Sequence, residues 1–239
     1  MSDASWPKVA IVDYGMGNLF SVKHACEHVG LKASITASNL EILAADAVIL
    51  PGVGAFGDAM KMLTRLDLER ALLDFAASGK QLVGICLGMQ LLMTESHEFG
   101  QHRGLGIIEG EVVRLEESVD GVRRLKVPQV GWNRIYTVRQ SVPPYEDRTD
   151  SSPWQGTLLE GLPDGEFMYF VHSFYPRTID PTVVLSATRY GQIEFRSSLR
   201  LGNVFACQFH PERSGPQGLH IYRNLARSIT RSRLEALNA

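Results

Sequence analysis

The sequence predicts an α/β fold: an open, mostly parallel central sheet with helices on both faces and an antiparallel extension in the C-terminal half. Two observations carry that reading. From the N-terminus to Gly104, short apolar, β-branched runs alternate with longer amphipathic ones, the pattern of strand–helix–strand units. These strands are apolar almost throughout, as strands covered on both faces are. After Gly104 strand-like runs follow one another with little room for helices, so hairpins replace crossovers.

The elements follow in order. Lys8–Asp13 (KVAIVD) reads as a buried strand, and Tyr14–Asn18 as a Gly-rich turn. A helical pattern over Leu19–Val29 stops at Gly30, where a helix C-cap belongs. Lys32–Thr36 and Ala45–Leu50 are the second and third strands, and the turn Pro51–Gly57 leads into one helix over Asp58–Ala77. Gln81–Ile85 is a fourth strand running directly into a helix over Leu87–Ser96. Beyond Gly104, strands are expected at Ile107–Leu115, Arg123–Val127, Trp132–Val138, Phe167–Val171, Thr182–Thr188, Gln192–Arg196 and Asn203–Phe209. A helix over Gly218–Leu237 closes the chain, with Leu219, Tyr222, Leu225 and Ile229 on one face. Arg223, Arg227 and Arg231 make a basic stripe on another, read as a solvated face. The polar, proline-containing stretch Arg139–Gly156 reads as a loop, and no repeat or linker divides the chain, so one domain over residues 1–239 is expected.

Composition removes several classes of function. Lys and Arg total 24 against 26 Asp and Glu, a net charge of −2, which gives no electrostatic reason to expect nucleic acid or an anionic membrane as partner. Apolar runs fall far short of the ~18 residues of a membrane span. The N-terminus shows no secretory signal, and three cysteines in 239 residues make no disulfide scaffold. A soluble cytoplasmic protein with reduced thiols is expected.

The strongest chemical signal is Gly84-Ile85-Cys86-Leu87-Gly88, set where a strand ends and a helix begins. This is the cysteine form of a nucleophile elbow, in which small residues on each side let the nucleophile occupy a strained turn. Helix N-terminal amides at such a place are expected to stabilise a thiolate. Cys26 and Cys207 lack any such setting and read as core. The nucleophile needs a base and the base an orienter. Of seven histidines, only His210 follows a buried strand and has a carboxylate two residues on, Glu212, on the same side of an extended segment. His172 is the alternative, without a nearby carboxylate in sequence.

An acyl-transfer site also needs donors for the oxyanion. The Leu87 N–H is one, and the loop Pro51-Gly52-Val53-Gly54 after the third strand is placed to supply another. The same loop matches the dinucleotide fingerprint as Gly52-x-Gly54-x-x-Gly57, so a nucleotide-binding module is an alternative. Against it, the strand is third rather than first, and the next strand ends in Gly-Ile-Cys instead of an acidic residue. No His/Cys cluster has metal-ligand spacing, and no metal or cofactor is expected.

The motifs Gly84-Ile85-Cys86-Leu87-Gly88-Met89-Gln90 and Gln208-Phe209-His210-Pro211-Glu212 resemble the class I, triad-type glutamine amidotransferases, whose fold is flavodoxin-like. Asp13-Tyr14-Gly15-Met16-Gly17-Asn18, Pro51-Gly52-Val53-Gly54-Ala55-Phe56-Gly57, Gly131-Trp132-Asn133 and Tyr169-Phe170-Val171-His172-Ser173 narrow the resemblance to the glutaminase subunits of imidazole glycerol phosphate synthases of histidine biosynthesis. The resemblance implies Cys86, His210 and Glu212 as the catalytic residues and the Val53 and Leu87 amides as oxyanion donors. It assigns Gly52, Gly54, Gln90, Glu98, Ser173 and Phe174 to binding L-glutamine. Gln90 and Glu98 lie eight apart, near two turns if the helix reaches Glu98. The resemblance further implies a heterodimer with a (β/α)8-barrel cyclase subunit that uses the ammonia, with Asn18, Gln129 and Trp132 as interface candidates. Two departures stand out: Gln129 where the family often has His, and the length of the Arg139–Gly156 loop.

Overall fold

The computed structural model describes residues 6–116, 119–120, 123–138 and 154–237. The first half runs β1 (Lys8–Val12), α1 (Leu19–His28), β2 (Lys32–Thr36), α2 (Asn39–Ala44), β3 (Ala47–Gly52), α3 (Phe56–Arg65), α4 (Leu68–Ala77), β4 (Gln81–Cys86) and α5 (Leu87–Leu91). Strands then follow almost without interruption: β5 (Met93–Ser96), β6 (His102–Arg103), β7 (Ile108–Arg114), β8 (Val119–Asp120), β9 (Arg123–Arg124) and β10 (Gln129–Thr137). The rest is β11 (Glu166–His172), β12 (Phe174–Thr178), β13 (Val184–Tyr190), β14 (Ile193–Leu201), β15 (Val204–Cys207) and α6 (Gly215–Leu237).

Nine strands form the main sheet in the order β11-β10-β13-β14-β15-β4-β3-β1-β2. The five from β15 to β2 pair in parallel, and the four on the other side pair antiparallel. This is the predicted parallel sheet with its antiparallel extension. Alternate residues of each central strand enter opposite cores. Val9, Ile11, Ile49, Val83 and Ile85 meet α1 and α6, whereas Ala10, Val12, Val48, Leu50 and Leu82 meet α2 to α5. Strands apolar on every residue are what a sheet covered on both faces requires. A second sheet, β12-β7-β5-β6, stands beside the C-terminal ends of the parallel strands through α5. Among the described residues no helix is long and apolar enough to cross a membrane.

Several boundaries differ from the sequence reading. The helix expected over Leu87–Ser96 stops at Leu91, and Met93–Ser96 is strand β5. The carbonyls that would continue the helix accept instead from the 104–108 segment: Leu105 N bonds Leu91 O, and Ile107 and Ile108 N bond Leu92 O. The single helix over Asp58–Ala77 is two, α3 and α4, broken at Asp67 with φ +57°. Helix α2 was not read, although Ser38 caps it by accepting from Glu41 N at 3.4 Å. The sequence pattern also does not predict strands β5, β6, β8 and β12, and of the Arg123–Val127 strand only Arg123–Arg124 pairs. Within the Arg139–Gly156 loop, residues 139–153 lie outside the described residues; Trp154 is buried and donates its indole N–H to Leu185 O at 2.9 Å.

Candidate active site

β4 runs through the middle of the sheet, so its C-terminal end delivers Cys86 to the edge where the parallel strands stop. Cys86 has φ +55° and ψ −109°, a conformation L-residues rarely adopt, and it forms the N-cap of α5. The elbow is possible because its neighbours lack side chains. A Cβ at Gly88 would run into the Leu50 carbonyl oxygen of β3, and one at Gly84 would come within 3.0 Å of Gly88 O. Helix α5 is only five residues long, so its dipole is a small part of what surrounds the sulfur.

β15 pairs with β4 and carries the chain to His210, which lies behind Cys86. His210 Nδ1 stands 2.8 Å from Glu212 Oε1, and the two side chains are 4% and 1% exposed. The other ring nitrogen, Nε2, is buried and has no hydrogen-bond partner among the described residues; its electrostatic partner is Cys86. Burial disfavours the charged ring, but Cys86 and Glu212 together outweigh it and raise the His210 pKa to about 10. The site therefore holds an imidazolium against the sulfur. Burial pushes the Cys26 thiol up to about 12 and raises that of Cys207 as well, consistent with both as inert core.

In front of the sulfur lies a cavity of about 290 Å³, lined by Val53, Gly54, Cys86, Leu87, Gln90, Glu98, Pro128, Val171, His172, Ser173 and Phe174. Eight residues singled out from sequence as catalytic, oxyanion or glutamine contacts are here together, although they come from four separate segments. Gly52 is not on the wall. It sits beneath, where a Cβ would strike the Tyr14 hydroxyl and approach Leu87 Cβ to 2.9 Å.

Two residues, Gln208 and Tyr14, make contacts that were invisible in sequence. Gln208 donates its amide to Cys86 Sγ at 3.5 Å and accepts from Gln90 Nε2 at 3.0 Å. Gln90 Nε2 also donates to Phe174 O at 2.9 Å, so both amide protons are spent and only its carbonyl oxygen is left for a ligand. Tyr14 donates to Pro51 O at 2.8 Å and props the loop that carries Val53. The Gln-Phe-His-Pro-Glu run and the Asp-Tyr-Gly run contained these residues, but the partners lie 122 and 37 positions away.

Glu98 reaches the cavity from the turn after β5, where its N–H bonds Ser96 Oγ at 3.2 Å; the helical spacing to Gln90 does not exist. Its Oε2 accepts from Phe56 N at 2.6 Å, at the start of α3. Burial raises its pKa, opposed by that bond and by His102. A carboxylate thus occupies the helix N-terminus that the Gly52-x-Gly54-x-x-Gly57 fingerprint would offer to a phosphate, which removes the physical basis of the nucleotide reading.

His172 lies on the wall beside His210. Burial depresses its pKa to about 4, so the ring is neutral. Nδ1 donates to Phe174 O at 3.0 Å, leaving Nε2 as an acceptor 3.2 Å from the Gln129 side-chain amide. A neutral ring requires the NH2 end of Gln129 there. Gln129 is 3% exposed and so is withdrawn from the surface on which sequence placed it, whereas Trp132 is 55% exposed and Asn18 half-buried. Elsewhere, His97 Nε2 lies 2.9 Å from Glu111 Oε2 and 3.8 Å from Glu95 Oε1, a grouping assembled across strands that linear spacing does not reveal.

The sequence model described as glutamine amidotransferase class-I matches residues 10–229. The chain belongs to that family. Among relatives of this amidotransferase, the imidazole glycerol phosphate synthase subunit HisH of Aquifex aeolicus is 43% identical over 221 residues, 92% of this chain and 96% of that one. The protein of the same name from Methanosarcina mazei is 46% identical over 219 residues, 91% and 96% of the two chains. A crystal structure of a glutamine amidotransferase superimposes with a TM-score of 0.64 over 92% of this chain and 98% of that one. At 21% identity, that likeness shows the fold alone.

Proposed function

We propose that this amidotransferase is the glutaminase subunit of an imidazole glycerol phosphate synthase. It would hydrolyse L-glutamine through a thioester on Cys86 and pass the ammonia to a separate cyclase in histidine biosynthesis. One observation carries the reading: a strained cysteine backed by a sealed His210–Glu212 pair opens onto a cavity lined by the residues that the family resemblance assigns to glutamine.

The substrate amide lies over Cys86. The sulfur attacks the amide carbon, and the oxyanion falls between the Val53 and Leu87 N–H groups. His210 gives its proton to the departing nitrogen as the C–N bond breaks, releasing ammonia and leaving a glutamyl thioester. The now neutral ring takes a proton from water, which attacks the thioester and frees glutamate and the sulfur. Glu212 holds the imidazole in position throughout. Glu98 and the free Gln90 oxygen suit the substrate ammonium, and Ser173 and Phe174 border it. Ammonia loses its nucleophilicity on protonation in bulk water, which favours a docked partner, a (β/α)8-barrel cyclase. Trp132 and Asn18 stand on the docking surface. Val53 is 44% exposed and followed by Gly54 at φ +101°, a loop able to turn its amide toward the cavity on docking.

The test is labelling with a diazo-ketone analogue of glutamine followed by peptide mapping. Modification of Cys86 that excess glutamine blocks is the expected result, and label elsewhere or indifference to glutamine overturns the reaction class. Glutamine hydrolysis with and without the cyclase and its ligand then tests the gating, which equal rates would remove.

A further inference from the structure

We propose that a second cavity, at the opposite end of β4 from Cys86, is a binding site for a small phosphorylated ligand. The cavity holds about 240 Å³ and is framed by the start of β4, the β14–β15 hairpin, the 156–160 segment and one face of α6. Gln81 stands at its edge, five residues and so roughly 16 Å of extended strand from Cys86. The occupant is therefore not the glutamine over the sulfur.

Three exposed arginines line this space, Arg200 from β14 and Arg227 and Arg231 from successive turns of α6. Among the described residues none of them pairs with a carboxylate. Arg200 bonds only Gly202 O at 3.3 Å, and Arg227 only Asn224 Oδ1 at 3.4 Å. The wall also carries one carboxylate, Glu160, whose Oε2 accepts from Gly156 N at 2.7 Å, so three cationic side chains face one anionic one. The basic stripe Arg223, Arg227 and Arg231 is exposed throughout, as a solvated face is, and two of its three members also stand at the mouth of this concave site.

The neutral groups are spent internally. Ser228 donates to Gln81 Oε1 at 3.2 Å, Gln81 Nε2 donates to Asn203 O at 2.6 Å, and Thr157 donates to Trp154 O at 2.7 Å. Asn224 donates to Leu158 O and Glu160 O at 3.0 and 2.8 Å, fixing the 156–160 segment to α6. Charged side-chain donors are what remains for a ligand, so the ligand must be rich in acceptors and anionic. Three planar forks suit a tetrahedral phosphate, whose oxygens take bidentate bonds from several directions, better than a single carboxylate. Phe205 and Leu158 give the cavity an apolar wall for a short carbon chain. The volume is below the roughly 300–1,000 Å³ of drug-sized pockets, which sets the size of a small phosphomonoester. Bound there, it ties the β14–β15 hairpin to α6, the two elements flanking the segment that carries His210 and Glu212.

The experiment is calorimetric titration of the full chain with inorganic phosphate, ribose 5-phosphate and unphosphorylated ribose at fixed ionic strength, with melting followed in parallel. Saturable binding of both phosphates but not of ribose is expected, with a rise in Tm. Arg227→Gln together with Arg231→Gln weakens binding at least about tenfold and leaves labelling of Cys86 unchanged. No saturation by about 10 mM ligand, equal binding by the arginine variants, or displacement of the phosphate by a glutamine analogue overturns the site.

Discussion

His210 Nδ1 and Glu212 Oε1 lie 2.8 Å apart with both side chains almost wholly sealed from solvent. One residue, Pro211, separates them, and a short 3-10 turn, Pro211–Arg213, fixes their geometry locally. In Glu212→Gln the amide cannot stabilise an imidazolium and presents the wrong group to one tautomer of the ring. The expected result is a fall in kcat for glutamine hydrolysis of about 10³–10⁴ with KM little changed, by analogy with orienting carboxylates in other triads. Steady-state kinetics of the purified complex check it, and an unchanged kcat would remove Glu212 from the machinery.

Gln208 touches the sulfur and Gln90 at once, and two substitutions separate those roles. Gln208→Leu removes the donor to Cys86 Sγ and the acceptor for Gln90, and is expected to lower kcat/KM about 10–100-fold, the worth of a hydrogen bond to a charged group. Gln208→Glu keeps an acceptor for Gln90 but sets an anion against the sulfur, so alkylation of Cys86 by iodoacetamide slows as well. Should Gln208→Glu behave like wild type, the contact with the sulfur is incidental and Gln208 serves only to hold Gln90.

How the elbow and sheet order were legible follows from where their information lies. The central strands declare themselves because every residue from Val9 to Val12 and from Ala47 to Gly52 is buried, and two covering layers require that run. The Gly84 to Gly88 pattern is local too, since its glycines answer clashes with an adjacent strand and helix. What sequence missed depends on distant partners. The end of α5 is decided by carbonyls captured from residues 104–108, and the break at Asp67 by how α3 and α4 pack, neither of which leaves a periodic trace. Only α2 had an unused local signal, Ser38 followed three residues later by Glu41. In the site, Cys86, His210 and Glu212 were readable from motifs, whereas Tyr14, Gln208 and the Gln129–His172 contact join strands and loops far apart in the chain.

Gly88 tests the elbow without touching its chemistry. In Gly88→Ala the methyl meets the Leu50 carbonyl, part of the β3 backbone, which has no rotamer to yield. A loss of more than about 3 kcal/mol in unfolding free energy is expected, beyond ordinary overpacking, or else a displaced β4–α5 turn with activity lost. Gly106→Ala has open space but φ +66°, so it measures the cost of the backbone conformation alone, about 1–2 kcal/mol. Equal effects of the two substitutions in urea unfolding would mean that the contact with Leu50 is not what requires glycine at 88.

The two buried histidines of the site give stability opposite dependences on pH. His172 is held neutral with a pKa near 4, below the ordinary 6.5, so the unfolded chain binds the extra proton as pH falls. Its contribution is present above 6.5 and is lost as pH drops toward 4. His210 is raised to about 10, so the folded state holds a proton that the unfolded chain has released. Its contribution is full below 6.5 and is lost as pH rises through 10. Each slope approaches about 1.4 kcal/mol per pH unit per proton, so the pair predicts a maximum of stability near pH 6.5. Two windows read the pair, pH 5–6.5 for the acid limb and pH 6.5–8 for the alkaline one, each as the difference between wild type and a variant so that titrations common to both cancel. Glu212→Gln flattens the alkaline limb by lowering His210 toward its ordinary value, and His172→Gln flattens the acid limb. Unfolding free energies in urea across both windows measure the effect. A wild-type alkaline limb no steeper than that of Glu212→Gln would show that Glu212 does not help to hold His210 as an imidazolium in the folded protein.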